Sequence, residues 1–113
     1  MLSEKKCTPC QKGTPPLTGE ELFELYTTLD AKEWELHNEH HLECTYTLPS
    51  FSKAIEFVQQ VGAIAEEQGH HPLIMINFKQ VTLTLWTHKI DGLCENDFIL
   101  AAKYNTLYQE ISK

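Results

Sequence analysis

A chain of 113 residues with 42% hydrophobic and 22% charged side chains has the size and composition of one globular domain with one core. Its formal charge of -7 comes from 16 acidic against 9 basic residues with no arginine, and no basic patch offsets it, so direct nucleic-acid binding is disfavoured. No apolar run approaches the ~20 residues that a bilayer-spanning helix needs. The polar start Met1-Leu2-Ser3-Glu4-Lys5-Lys6 carries no signal-peptide pattern, so a cytoplasmic chain with four reduced cysteines and no membrane association is expected.

Residues 1–16 read as a flexible N-terminal arm, and residues 17–113 as the folded domain. Gly13 and Pro15-Pro16 interrupt regular structure in the arm. Its Cys7-Thr8-Pro9-Cys10 is half a zinc site at most, needing two more ligands such as Cys44 or a histidine. No second Cys-x-x-Cys exists, and no helix start is expected there to support a redox pair, which favours unpaired thiols.

Thr18 and Glu21 have capping-box spacing, and Leu22, Leu25, Tyr26 and Leu29 follow at helical intervals, with Asp30 near the end. Two strands are expected over 34–40 and 42–48, joined at the tip Asn38-Glu39-His40-His41. Ser50 then caps a second helix. Its stripe is Phe51, Ala54, Ile55, Val58, Val61, Gly62 and Ala65, widened by Phe57 and Ile64, and it is expected to be the most buried helix. Gly69 suits a left-handed stop, and Pro72 forbids continuation. Strands over 73–78 and 81–88 follow, the second with Val81, Leu83 and Leu85 on one side and Thr82, Thr84, Trp86 and His88 on the other. Gly92 allows a turn before a last helix from Glu95 to Ser112, with Leu100, Tyr104, Leu107 and Ile111 as its apolar line. Strands arriving in pairs between helices predict the α+β class: a four-stranded antiparallel sheet with three helices packed on one face.

Chemistry concentrates at Glu66-Glu67-Gln68-Gly69-His70-His71-Pro72 and at Thr87-His88. If the 73–78 strand pairs with 81–88, these stretches meet at one sheet edge, with three of the six histidines. Glu66 and Glu67 lie one helical turn before the pair, close enough to orient an imidazole. Three readings stand on the residues alone: exposed loop histidines without a role, a three-histidine zinc site, or acid–base catalysis. Adjacent histidines seldom chelate one ion, and no HExxH spacing is present. His40-His41 lacks the proline and the upstream glutamate and is expected at an exposed hairpin tip. Trp34 and Trp86 are expected as packing or subunit-contact residues.

Glu66-x-x-x-His70-His71-Pro72, Val81-x-Leu83-x-Leu85-x-Thr87-His88 and Gly92-Leu93-Cys94-Glu95-Asn96-Asp97-Phe98-x-Leu100-Ala101 together resemble the pterin-4a-carbinolamine dehydratase family. The similarity covers roughly residues 17–110 and includes the approach from Leu29 to Trp34. The resemblance implies dehydration of a 4a-hydroxytetrahydropterin to the quinonoid dihydropterin, within tetrahydrobiopterin regeneration, without metal or organic cofactor. It implies His70, His71 and His88 as catalytic residues, with Glu66, Pro72, Thr87 and Asp97 binding substrate or supporting them. Proton transfer is assigned to His71 and His88, and substrate binding or either role to His70.

Implied partners are the small-molecule pterin, further copies in a homodimer or homotetramer, and a functional link to an aromatic amino acid hydroxylase. The rival reading is a non-catalytic protein-binding or dimerisation cofactor of the same fold. Two departures stand out. Leu73-Ile74-Met75 replaces the acidic and aromatic residues that often follow the His-His-Pro, and Cys94 replaces the usual Ser or Thr cap.

Overall fold

The computed structural model describes residues 2–7, 15–29 and 34–112. The elements are α1 (Gly19–Thr28), β1 (Glu35–His37), β2 (His41–Thr47), α2 (Phe51–Gln68), β3 (Leu73–Asn77), β4 (Gln80–Leu85) and α3 (Glu95–Ile111), with 3-10 turns at Leu2–Glu4 and His88–Ile90. The four strands form one antiparallel sheet in the order β1-β2-β4-β3, with the helices on one face. This is the α+β architecture the paired strands predict.

Alternation decides which face the helices cover. Leu42, Cys44 and Tyr46 of β2 pair with Leu85, Leu83 and Val81 of β4, and all six are buried. From the helices, Leu22, Ala54, Phe57, Val61, Phe98, Leu100 and Tyr104 complete the core. Fully burying a side chain such as Leu83 or Phe57 stabilises the fold by about 1.5–3 kcal/mol. Trp34 is part of this core, as expected, and its indole N–H is satisfied by Asn105 Oδ1 at 2.9 Å. The same oxygen accepts from the Tyr46 hydroxyl at 2.6 Å.

Several local expectations are revised. The helix buried most is α3, with nine buried residues against four in α2. It packs against α1, α2 and the Leu2–Glu4 turn, so it is covered on several sides. On α2 the buried line is Ala54, Phe57, Val61 and Ala65, while Phe51 and Ile55 are exposed. Thr18 is the N-cap of α1 but its side chain makes no capping bond. Instead Glu39 Oε1, from the hairpin tip, accepts from Gly19 N at 3.1 Å, placing a carboxylate at the positive end of the helix.

The first hairpin is shorter than its hydrophobic pattern. Asn38 and Glu39 both take left-handed backbone, and His40 N donates to His37 O at 2.9 Å, which ends the ladder at the His37–His41 pair. Strand β4 stops at Leu85, because Thr87 and Gly92 bridge each other and close the following residues into a turn. His88 therefore sits on that turn rather than on the strand. Gly92 is required there by close approach, since a Cβ would fall 2.5 Å from Pro16 Cβ. The Ser50 cap and the left-handed Gly69 stop lie where the sequence places them.

Within the expected arm over 1–16, residues 2–7 touch α3. Lys103 Nζ donates to Ser3 O at 2.9 Å, and Lys5 Nζ pairs with Glu95 Oε2 at 3.0 Å, so residues 2–7 dock on α3. Cys10 and Gly13, and with them the Cys-x-x-Cys reading, lie outside the described residues, as does Asp30.

Candidate active site

Gly69 gives the site its first fixed point. Its left-handed conformation (φ 66°) ends α2 and turns the chain, and His70 N still donates back to Ala65 O at 3.2 Å. The two histidines that follow therefore leave the helix on an irregular segment and need not alternate across a strand. Pro72 then leads into β3.

His70 turns inward. Its Nε2 lies 2.6 Å from Asp97 Oδ1, with the His70 side chain 13% exposed and Asp97 fully buried. The other carboxylate oxygen accepts from Thr87 Oγ1 at 2.9 Å and from Cys94 N at 3.0 Å. Asp97 thus fixes the start of α3, orients the residue before His88 and holds the His70 ring. A carboxylate with two or more such donors is a rigid acceptor, and it keeps the His70 proton on Nε2 and leaves Nδ1 for the cavity. This also answers the Cys94 departure, because the helix start is secured through the backbone of Cys94 by Asp97.

His71 turns outward. Its Nε2 lies 2.7 Å from Glu66 Oε2, but its side chain is 59% exposed and that of Glu66 80%. The His88 carbonyl accepts from Asp91 N at 3.2 Å, and its ring stacks on Trp86, with centroids 4.3 Å apart and planes 28° apart.

All three rings border one cavity of about 600 Å³, together with Pro72 and Thr87. Glu66 and Asp97 stand behind it, each holding one of the histidines. Cys7, Gln68, Gly69, Leu73, Lys89 and Asn96 complete the wall with Trp86. Trp86 packs against the core, as expected of a packing residue, and it also lines this cavity, two residues before His88. Leu73, one of the departures from the family pattern, forms apolar wall. Cys7 carries no sequence signal for this position, since nothing local ties it to residues sixty or more positions away.

His40 is more engaged than an exposed tip. Its Nε2 lies 2.8 Å from Asp91 Oδ1 on the turn that bears His88, and its ring centroid is 5.7 Å from that of Trp86. The neighbouring His41 is held below its ordinary pKa by burial first and then by His37 and His40. Among the described residues no group of three or more His, Cys, Asp or Glu side chains is arranged to hold a metal ion. No helix among them is long and apolar enough to cross a membrane.

Residues 15–107 match the family model described as pterin 4 alpha carbinolamine dehydratase. A protein of Rubrobacter xylanophilus, provisionally named pterin-4-alpha-carbinolamine dehydratase, is 48% identical over 94% of this chain and 97% of its own length. One of Rickettsia canadensis with the same provisional name is 48% identical over 91% of this chain and 94% of its own. The crystal structure of a transcriptional coactivator/pterin dehydratase from Brucella melitensis superposes with a TM-score of 0.74 at 30% identity, covering 81% of this chain and 97% of that one.

Proposed function

This chain belongs to the pterin-4a-carbinolamine dehydratase family, and we propose that it is an active dehydratase, removing water from a 4a-hydroxytetrahydropterin to give the quinonoid dihydropterin. The observation that carries the reading is the convergence of His70, His71 and His88 on one cavity, one of them locked by a buried carboxylate.

Hydroxide is a poor leaving group, so the C4a oxygen must gain a proton as its bond to carbon breaks. The electron pair for the new double bond comes from the ring system, and a ring nitrogen gives up its proton. One protonated imidazole and one neutral imidazole suffice for this exchange, and water and the quinonoid product leave with the proton count balanced. Positioned proton transfer contributes about 10²–10⁴-fold in rate. We assign proton transfer to His71 and His88, on the accessible side of the cavity. His70, with Nδ1 turned away from Asp97, holds the substrate or takes a proton from it. Pro72 and Thr87 shape the wall, and Glu66 and Asp97 orient the histidines. No cofactor is needed for this chemistry.

The same reading makes the pterin the small-molecule partner, ties the chain functionally to an aromatic amino acid hydroxylase within tetrahydrobiopterin regeneration, and places it in the cytoplasm. Exposed Phe51 and Ile55 on α2, Leu73 and Met75 on edge strand β3, and Phe78 just after it support assembly into a homodimer or homotetramer. The same surfaces favour a second reading, a protein-binding or dimerisation role, and the similar Brucella protein is named a transcriptional coactivator as well as a pterin dehydratase.

The test is a direct dehydration assay on freshly generated 4a-hydroxytetrahydropterin, comparing the wild type with His70→Ala, His71→Ala and His88→Ala. Rates that stay at the wild-type level in all three folded variants, or no turnover by the wild type, reject the enzyme.

A further inference from the structure

The family match begins at residue 15, yet the segment Leu2–Cys7 upstream of it reaches the candidate cavity. The segment is fastened along its length. Leu2 and Cys7 pack against the core, Ser3 O accepts from Lys103 Nζ, and Lys5 pairs with Glu95. At its end Cys7 N donates to Gln68 Oε1 at 2.8 Å, and Cys7 Sγ lies 3.8 Å from Asn96 O. Gln68 is the last residue of α2 and Asn96 lies in the first turn of α3. Those two ends carry His70 and its partner Asp97, so Cys7 spans the joint across which the buried pair forms. Cys7, Gln68 and Asn96 all line the cavity.

We infer that the Leu2–Cys7 segment is a fixed wall of the substrate cavity and that Cys7 is a specificity-determining residue, its small side chain setting how large a pterin the cavity admits. Burial pushes the Cys7 thiol up to about 11, so it stays protonated near neutral pH and acts by its size rather than as a nucleophile. The histidines keep their own supports, so a bulkier residue at this position obstructs binding and leaves the proton transfers in place. The inference rests on the dehydratase reading for the identity of the ligand.

The experiment compares the wild type with Cys7→Val and Cys7→Trp in steady-state dehydration, with folding checked by circular dichroism. KM is expected to rise with the size of the side chain, by about tenfold or more in Cys7→Trp, while kcat stays within about twofold. A second measurement does not depend on the tryptophan being accommodated: hydrogen exchange of the Leu2–Cys7 amides in the wild type, followed by mass spectrometry. Saturating 7,8-dihydrobiopterin is expected to slow it several-fold.

An unchanged KM in folded Cys7→Trp, or Leu2–Cys7 exchange indifferent to the dihydropterin, overturns the inference while leaving the dehydratase reading intact. If the wild type binds dihydropterin but turns nothing over, the dehydratase reading falls, and dihydropterin affinity in Cys7→Trp still decides the wall. If dihydropterin does not bind at all, the inference falls as well.

Discussion

His70 and His71 are adjacent in the chain, each has a carboxylate within 2.7 Å, and yet their surroundings are opposite. The His70 pair is sealed, with Asp97 fully buried and engaged by two further donors. The His71 pair is open, with both partners more than half exposed. A buried acceptor whose geometry is fixed by three elements orients a ring before substrate arrives. An exposed ion pair is screened by water and gives up little when broken, about 0–1 kcal/mol. Similar distances therefore conceal a rigid support on one side of the cavity and a loose one at its rim.

The strongest way to break this contrast is Asp97→Ala. It removes the acceptor of the Cys94 N–H and of His70 Nε2 and leaves the Thr87 hydroxyl only the Cys94 sulfur, and each buried donor left unpaired costs about 1–3 kcal/mol. We expect a loss of about 2–4 kcal/mol in urea unfolding and a dehydration rate lowered about 10²-fold or more. Equal unfolding midpoints for Asp97→Ala and Glu66→Ala would show that the two pairs do not differ. Next in size, His88→Ala and His71→Ala should each lose about 10²–10⁴-fold in kcat while stability stays within about 0.5 kcal/mol, because neither ring is enclosed. His70→Ala should lose rate and stability together.

Glu66→Gln sharpens the open side of the contrast. Its expected rate loss is under about tenfold, with stability altered by less than about 1 kcal/mol, in parallel assays at low and high salt. The smallest effect lies at the hairpin tip. His41 is held below its ordinary 6.5 when folded, by burial first, then by His37 and His40, with Glu43 opposing. Below pH 6.5 the unfolded chain therefore takes up a proton that the folded ring refuses. This contribution leaves stability unaffected above that pH and erodes it as pH falls toward the lowered folded value. His41→Gln should flatten that part of the decline in unfolding midpoint, while an unchanged slope would remove His41 as its source.

The sequence alone went far here because the signals were local. Alternation in Leu42 to Leu48 and Val81 to Leu85 fixed which side of each strand is buried, and Gly69 before His70-His71-Pro72 set where α2 ends. The Glu66 to Pro72 and Thr87-His88 stretches singled out His70, His71 and His88, which line one cavity, while Asp97 was implied by the family resemblance. Contacts between distant segments were decided by the tertiary structure. Glu39 caps α1 in place of Thr18, because the hairpin tip folds back beside Gly19. Trp86 lines the cavity because the turn from Thr87 to Gly92 brings His88 over its ring. Cys7 reaches the wall because its segment docks on α3, and the inward and outward turns of His70 and His71 follow from which carboxylate the packing buries. Periodicity encodes which side of an element faces the core, whereas the depth at which a polar pair lies depends on what packs over it.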